Sequence, residues 1–189
     1  MKELRDHIRQ SISLTDDEFT LAIGYFTPKK FRKHQIVIHE GEYVHHEYFV
    51  VKGLMRSSHS NPDGKEHIIQ FAMENCWITD PQAFHHRSKA KLNVDCMEDT
   101  TVLAISLDAR EELCKRLPTL EYFFSKKATA GYIDLQNRIL CLISSTASKR
   151  YNNLIVQYPG LLQRVPKSMI ASYLGVTRET LSRLASVDA

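Results

Sequence analysis

Arg178, Glu179, Thr180, Ser182 and Arg183 stand together near the end of the sequence, interleaved with Leu181 and Leu184. On a helix the two leucines share one face and leave the polar side chains on the other. Those side chains are suited to hydrogen bonding with nucleic acid. An arginine guanidinium matches guanine O6 and N7 as a bidentate fork. A glutamate accepts from cytosine N4, and serine or threonine hydroxyls reach phosphate.

The elements needed to present such a set lie just upstream. Pro166 suits a helix start, where its missing N–H is not needed. Ala171 is small enough for two helices to cross closely. Gly175 tolerates the positive φ of a sharp turn, and Thr177 predicts a hydroxyl cap for the next helix. Ile170, Leu174, Val176, Leu181 and Leu184 supply apolar positions that lock the pair. The pattern predicts a helix-turn-helix whose second helix suits a DNA major groove. The DNA-binding candidates are Lys167, Ser168, Thr177, Arg178, Glu179, Thr180, Ser182 and Arg183. An ordinary helical hairpin with a polar face is the plainer alternative.

Charge points the same way. The net charge of +3 hides an asymmetry: residues 1–109 hold 13 Lys/Arg and 16 Asp/Glu, whereas residues 110–189 hold 12 and 6. A basic C-terminal portion suits a polyanion, although an ordinary solvated surface gives similar numbers. Apolar residues at 43% and charged residues at 25% place the chain among soluble globular proteins.

Other chemistry is poorly supported. Cys76, Cys96, Cys114 and Cys141 form no C-x-x-C pair, so neither a disulfide framework nor a zinc site is expected. Cys76 beside Trp77 reads as core. His45-His46 and His85-His86 are adjacent pairs whose side chains would leave a strand on opposite faces, and His39, His59 and His67 are isolated. No metal and no cofactor is expected. Met1 to Gln10 is charged, unlike a secretory leader, and no stretch approaches the ~20 apolar residues of a membrane span. A reducing, cytoplasmic setting is the default. A nucleophile elbow, P-loop, H-E-x-x-H and dinucleotide fingerprint are all missing, so an enzyme is not expected.

Residues 1–27 read as helical, with Leu4, Ile8 and Ile12 on one face and Thr15 with Glu18 as a capping box. Residues 30–106 read as strands. Ile36-Val37-Ile38, Tyr48-Phe49-Val50-Val51 and Thr101 to Ile105 are apolar runs, and Asn61-Pro62-Asp63-Gly64 turns a hairpin into His67 to Phe71. Residues 107–189 read as helices. Leu113, Leu117, Leu120, Phe124, Gly131, Leu135 and Leu142 line one face around a long helix from Thr119 to Ser145, interrupted by Lys127 and Arg138. Small Ala128, Ala130 and Gly131 would admit a neighbour closely. This face is either a dimer seam or a surface packed on the chain's own β domain. Leu161 to Val165 reads as one short strand. The expected fold is α+β, with a β-roll sensor domain over 1–118, a connecting helix over 119–145 and a helix-turn-helix domain over 146–189.

Thr177 to Arg183 resembles the recognition helix of the Crp/Fnr family of regulators. Glu40-Gly41-Glu42, Tyr48 to Gly53 and Asp63-Gly64-Lys65-Glu66 resemble the strands and central hairpin of that family's cyclic-nucleotide-binding β-roll. The resemblance covers roughly residues 10–184. It implies a jelly-roll sensor, a dimer helix and a winged helix-turn-helix in which Arg178, Glu179 and Arg183 read base edges. It also exposes departures. Thr79-Asp80 stands where nucleotide binders have Gly-Glu, and Ala90-Lys91 stands where they have the phosphate-binding Arg-Ser. An N-terminal cysteine cluster for iron–sulfur ligation is missing, because no cysteine precedes Cys76. Only Ala185 to Ala189 follow the recognition helix, so the wing is expected to be absent or minimal.

These features imply a homodimeric transcription regulator that binds a palindromic double-stranded operator and answers to an effector other than cyclic AMP, or to none. RNA polymerase is a candidate partner, and a membrane is not. Effector candidates between the β-roll and the long helix are Phe71, Trp77, Asp80, Lys89, Lys91, Tyr122 and Lys126. The competing reading is a ligand-sensing β-roll that has lost specific DNA binding.

Overall fold

Leu4 and Ile8 are both buried on α1 (Lys2–Arg9), and Phe19 and Ala22 on α2 (Asp16–Ile23). The capping box forms as expected: Thr15 Oγ1 accepts the Glu18 N–H at 3.2 Å while the Glu18 carboxylate accepts the Thr15 N–H at 2.8 Å. The computed structural model describes residues 1–187.

The strands are β1 (Thr27–Phe31), β2 (Ile36–Ile38), β3 (His46–Lys52), β4 (Met55–Ser60), β5 (Glu66–Ala72), β6 (Trp77–Ile78), β7 (Asn93–Cys96) and β8 (Thr100–Ser106). They form two four-stranded sheets, ordered β1-β8-β3-β6 and β2-β7-β4-β5. Where strand pairings are resolved, they are antiparallel. This is the expected jelly-roll sandwich. Its interior holds Val50, Met55, Val94, Val102 and Ala104. The opposite face of the first sheet is covered too, because Phe49, Leu103 and Ile105 belong to a second cluster with Leu4, Ile8, Leu113, Phe123 and Phe124. Burial on both faces explains why Tyr48 to Val51 and Val102 to Ile105 read as continuous apolar runs rather than alternating ones.

Four further helices are α3 (Pro81–His86), α4 (Leu107–Arg116), the long α5 (Thr119–Ser144) and α6 (Ala147–Gln157). They are followed by α7 (Leu161–Arg164), α8 (Lys167–Leu174) and α9 (Arg178–Val187). Two expectations need correction here. Leu161 to Arg164 is a turn of helix, not a strand. Gly160 adopts φ 81°, and the Gln163 N–H reaches the Gly160 carbonyl at 3.1 Å. A lone strand would leave its backbone groups unpaired, whereas one helical turn of Leu-Leu-Gln-Arg pairs them locally. The helical face is also divided. Leu113, Leu117, Leu120 and Phe124 are buried in the sensor's own core, so only the part from Gly131 onward remains for a seam. There Tyr132, Ile133, Leu135, Ile139, Leu140, Leu142 and Ile143 are exposed.

The compact units fall elsewhere than at residues 118 and 145. One comprises Met1–His59 with Ile69–Ala128, and the other comprises Ser60–Ile68 with the chain from Thr129. The tip of the β4–β5 hairpin thus groups with the helices. Residues 188–189, on which the expectation of a missing wing partly rests, lie outside the described residues. Among the described residues, no helix is long and apolar enough to cross a membrane.

Between β3 and β4 the chain passes from one sheet to the other through Gly53, at φ 104°. A Cβ there would lie 2.6 Å from Thr100 Oγ1 and 2.8 Å from the Asp99 carbonyl oxygen. Gly53→Ala therefore combines left-handed strain with overpacking and should cost about 3 kcal/mol in urea unfolding. A loss within experimental error would show that the crossing relaxes freely.

Candidate nucleic-acid interface

The helix pair near the C-terminus is built as its sequence requires. Pro166 is the N-cap of α8, with extended geometry. Gly175 closes α8 in the left-handed region at φ 65°, where its N–H and that of Val176 return to carbonyls of α8. Thr177 Oγ1 then accepts the Thr180 N–H at 3.2 Å, starting α9. Ile170, Ala171, Leu174 and Leu181 are buried, and Val176 and Leu184 are half-buried. Tyr151, Leu154, Leu161 and Val165 are also buried in this unit's helical part.

Every DNA-binding candidate except Thr180 is exposed, and Thr180 is half-buried. Lys167 and Ser168 open α8, where unpaired N–H groups favour an anion. Arg178, Glu179, Ser182 and Arg183 lie on the solvent side of α9. The Glu179 carboxyl is held below its ordinary pKa, chiefly by its own backbone N–H and the Thr177 hydroxyl, with Arg178 and Arg183 contributing. It is therefore an ionised acceptor flanked by cationic donors, a mixed set able to read base edges.

The effector candidates differ in burial. Phe71 is buried, and Lys89, Lys91, Tyr122 and Lys126 are exposed. Lys126 Nζ lies 5.3 Å from the Tyr122 ring centre. Asp80 is fully engaged in structure. Its carboxylate accepts N–H groups from Ala83 at 3.1 Å, Lys91 at 2.8 Å and Leu92 at 3.2 Å, and it caps α3. Ala90 is buried and offers no guanidinium. The backbone N–H groups of Ala83, Lys91 and Leu92 therefore already serve a covalently attached carboxylate. A recess of about 310 Å³ is lined by Tyr43, His46, Phe84, Arg87, Ser106 and Asp108 among others, and by none of the effector candidates.

Trp77 instead sits in an aromatic and charged cluster that fills the space between the first sheet and the start of α5. Its Nε1–H donates to His7 Nε2 at 3.1 Å, and its ring centre lies 5.2 Å from that of Phe49. Lys127 Nζ lies 4.3 Å from the Trp77 ring centre and pairs with the buried Glu47, which Arg110 approaches at 3.6 Å. Burial pushes the Lys127 ammonium below its ordinary pKa, against the pull of Glu47. His7 was not singled out by its sequence context. The usable signal was Lys127, a charge on an apolar helix face that called for a buried partner.

Residues 28–117 match the family model described as the cyclic nucleotide-binding domain. The chain is similar in fold to several solved structures. FixK2 from Bradyrhizobium japonicum superposes with a TM-score of 0.75 at 21% identity, over 85% of this chain and 83% of that one. The c-di-GMP-responsive global regulator CLP of Xanthomonas campestris gives 0.72 at 13% identity, over 91% and 90%. A CooA variant from Carboxydothermus hydrogenoformans gives 0.69 at 19% identity, over 87% and 76%. No curated protein matches the sequence at a significant level.

The Trp77–His7 contact makes a pH prediction. Burial, and then the Lys127 charge, lowers the His7 pKa from its ordinary value of 6.5. Below 6.5 the unfolded chain binds more protons than the folded one. The stability that neutral His7 contributes is therefore fully present above that value and is lost as pH falls through the folded pKa. Protonation also removes the acceptor for the Trp77 indole. Trp77 is the single tryptophan, so its fluorescence should change as pH falls below 6.5 and through the folded pKa of His7, and His7→Gln should abolish that change. An identical profile in the variant would contradict the assignment.

Proposed function

We propose that this chain is a sequence-specific DNA-binding transcription regulator, acting as a homodimer and controlled by an effector other than cyclic AMP. The observation that carries the reading is the exposed face of α9, where Arg178, Glu179, Ser182 and Arg183 stand on a packed, capped helix-turn-helix. The fold shared with FixK2 and CLP, the latter described as a global regulator, supports it. The exposed apolar residues of α5 from Tyr132 to Ile143 supply a surface for a second copy. A two-fold pair presents its recognition helices to half-sites about one helical turn apart, and hence to a palindrome. Asp80 and Ala90 favour an effector that is not a cyclic nucleotide, since the carboxylate already engages the anion-binding donors.

Selection from a randomised duplex pool tests this. The expected result is a palindromic consensus, with half-site centres about 10 base pairs apart and unchanged by cyclic AMP. Arg178→Ala or Arg183→Ala should each cost about 1–3 kcal/mol of binding and relax preference at one base pair. Lys167→Ala should weaken all sequences alike and reduce the salt slope by about one. A pool that yields no consensus, with or without cyclic AMP, would favour the competing reading of a sensor module without specific DNA binding.

A further inference from the structure

Within the unit that contains the helix pair, three segments distant in sequence meet at two side chains. Arg138, on α5, donates through Nη2 to the Ile68 carbonyl at 2.8 Å and to the Tyr173 carbonyl at 3.2 Å. Its guanidinium carbon lies 3.6 Å from the centre of the Tyr173 ring. The Tyr158 ring also meets that of Tyr173 edge-on, with ring centres 6.4 Å apart. Ser172 Oγ donates to the Glu66 carbonyl at 3.0 Å and accepts the Ile68 N–H at 3.4 Å. One end of α8 is thus fastened to α5 by an arginine and to the tip of the β4–β5 hairpin by a serine.

The chemistry of these contacts makes them directional. Tyr173 lies in the last turn of α8, where the helix leaves carbonyl groups for outside donors. A guanidinium is planar and its N–H groups point along fixed directions, so a single Nη2 shared between two carbonyls, on a plane held against a ring, fixes orientation as well as distance. A lysine would satisfy the charge without the plane. Arg138 interrupts the apolar pattern of α5 and is half-buried, so its placement costs desolvation that these contacts must offset.

We infer that Arg138 and Ser172 are positioning residues that set the spacing between the two half-sites the protein accepts. The inference rests on the proposed function as a dimeric DNA reader. If the exposed face of α5 sets the dimer axis, anything that fixes α8 against α5 also fixes how far the recognition helix α9 stands from that axis. The two-fold symmetry repeats any error in the second subunit. A shift of α9 by one base-pair rise, about 3.4 Å, changes the half-site separation by about two base pairs.

The test measures binding to palindromes that share the selected half-site but differ in central spacer by up to two base pairs either way. Wild type should prefer one spacer. Arg138→Gln, Arg138→Lys and Ser172→Ala should flatten that preference by about fivefold or more while leaving the half-site consensus unchanged. General loosening of the fold would lower affinity for every spacer alike and keep the preference, so the spacer profile separates positioning from mere stability. Ser172→Ala removes only a hydroxyl and carries the test if the arginine variants fail to fold. Folded variants that retain the wild-type spacer preference would overturn the inference. A wild type that selects no palindrome would overturn it together with the DNA-reading proposal, and only that outcome touches both.

Discussion

A helix of 26 residues with apolar side chains along most of its length has more surface to bury than its own domain offers. Leu120, Phe123 and Phe124 of α5 complete the core of the sensor. Beyond Ala128 the helix no longer belongs to that unit, yet Tyr132, Ile133, Ile139, Leu140 and Ile143 continue the apolar pattern in the open. A contiguous exposed face of this kind marks an interaction surface. The proposed pairing through α5 would place two helix-turn-helix units under one symmetry axis, and the reading of an operator as a palindrome depends on it.

The β sandwich supplies a second constraint, a loop whose backbone donors are satisfied from within the chain. Asp80 receives backbone donors from α3 and from the Lys91-Leu92 segment. Buried polar groups of this kind cost little only while every partner stays in place. At the root of α5, Trp77, His7, Lys127, Glu47 and Arg110 form a closely packed set in which a proton at His7 would alter both a hydrogen bond and a local charge. A signal that repacked this cluster would act on the helix emerging from it, if the proposed effector exists. An effector would need different affinities for the two arrangements.

Much of this was legible in the residues. The helix-turn-helix could be read from Pro166, Ala171, Gly175 and Thr177 because each answers a local steric or hydrogen-bonding demand. The strands from Ile36, Tyr48 and Thr101 could be read because β-branched and aromatic runs bounded by turns have few other uses. What could not be read depends on contacts across long separations. Arg138 interrupts an apolar stripe in the sequence, and only the fold brings Ile68 and Tyr173 to it. Asp80 resembles a ligand-site position until Lys91 and Leu92 are seen donating to it. Trp77 looked like a pocket wall because the helix that covers it, α1, lies some seventy residues upstream, at His7. Leu161 to Val165 misled because apolar residues in a short run suit a strand and a single helical turn equally well.

Sedimentation equilibrium of the full chain, over the concentrations at which it binds DNA, tests the central claim most directly. The account predicts twice the chain mass of 21.8 kDa, falling to the single-chain value when Ile139 and Ile143 are replaced by aspartate. A wild-type chain that sediments at 21.8 kDa at those concentrations, and that adds the mass of one chain per duplex to its preferred DNA, would contradict it.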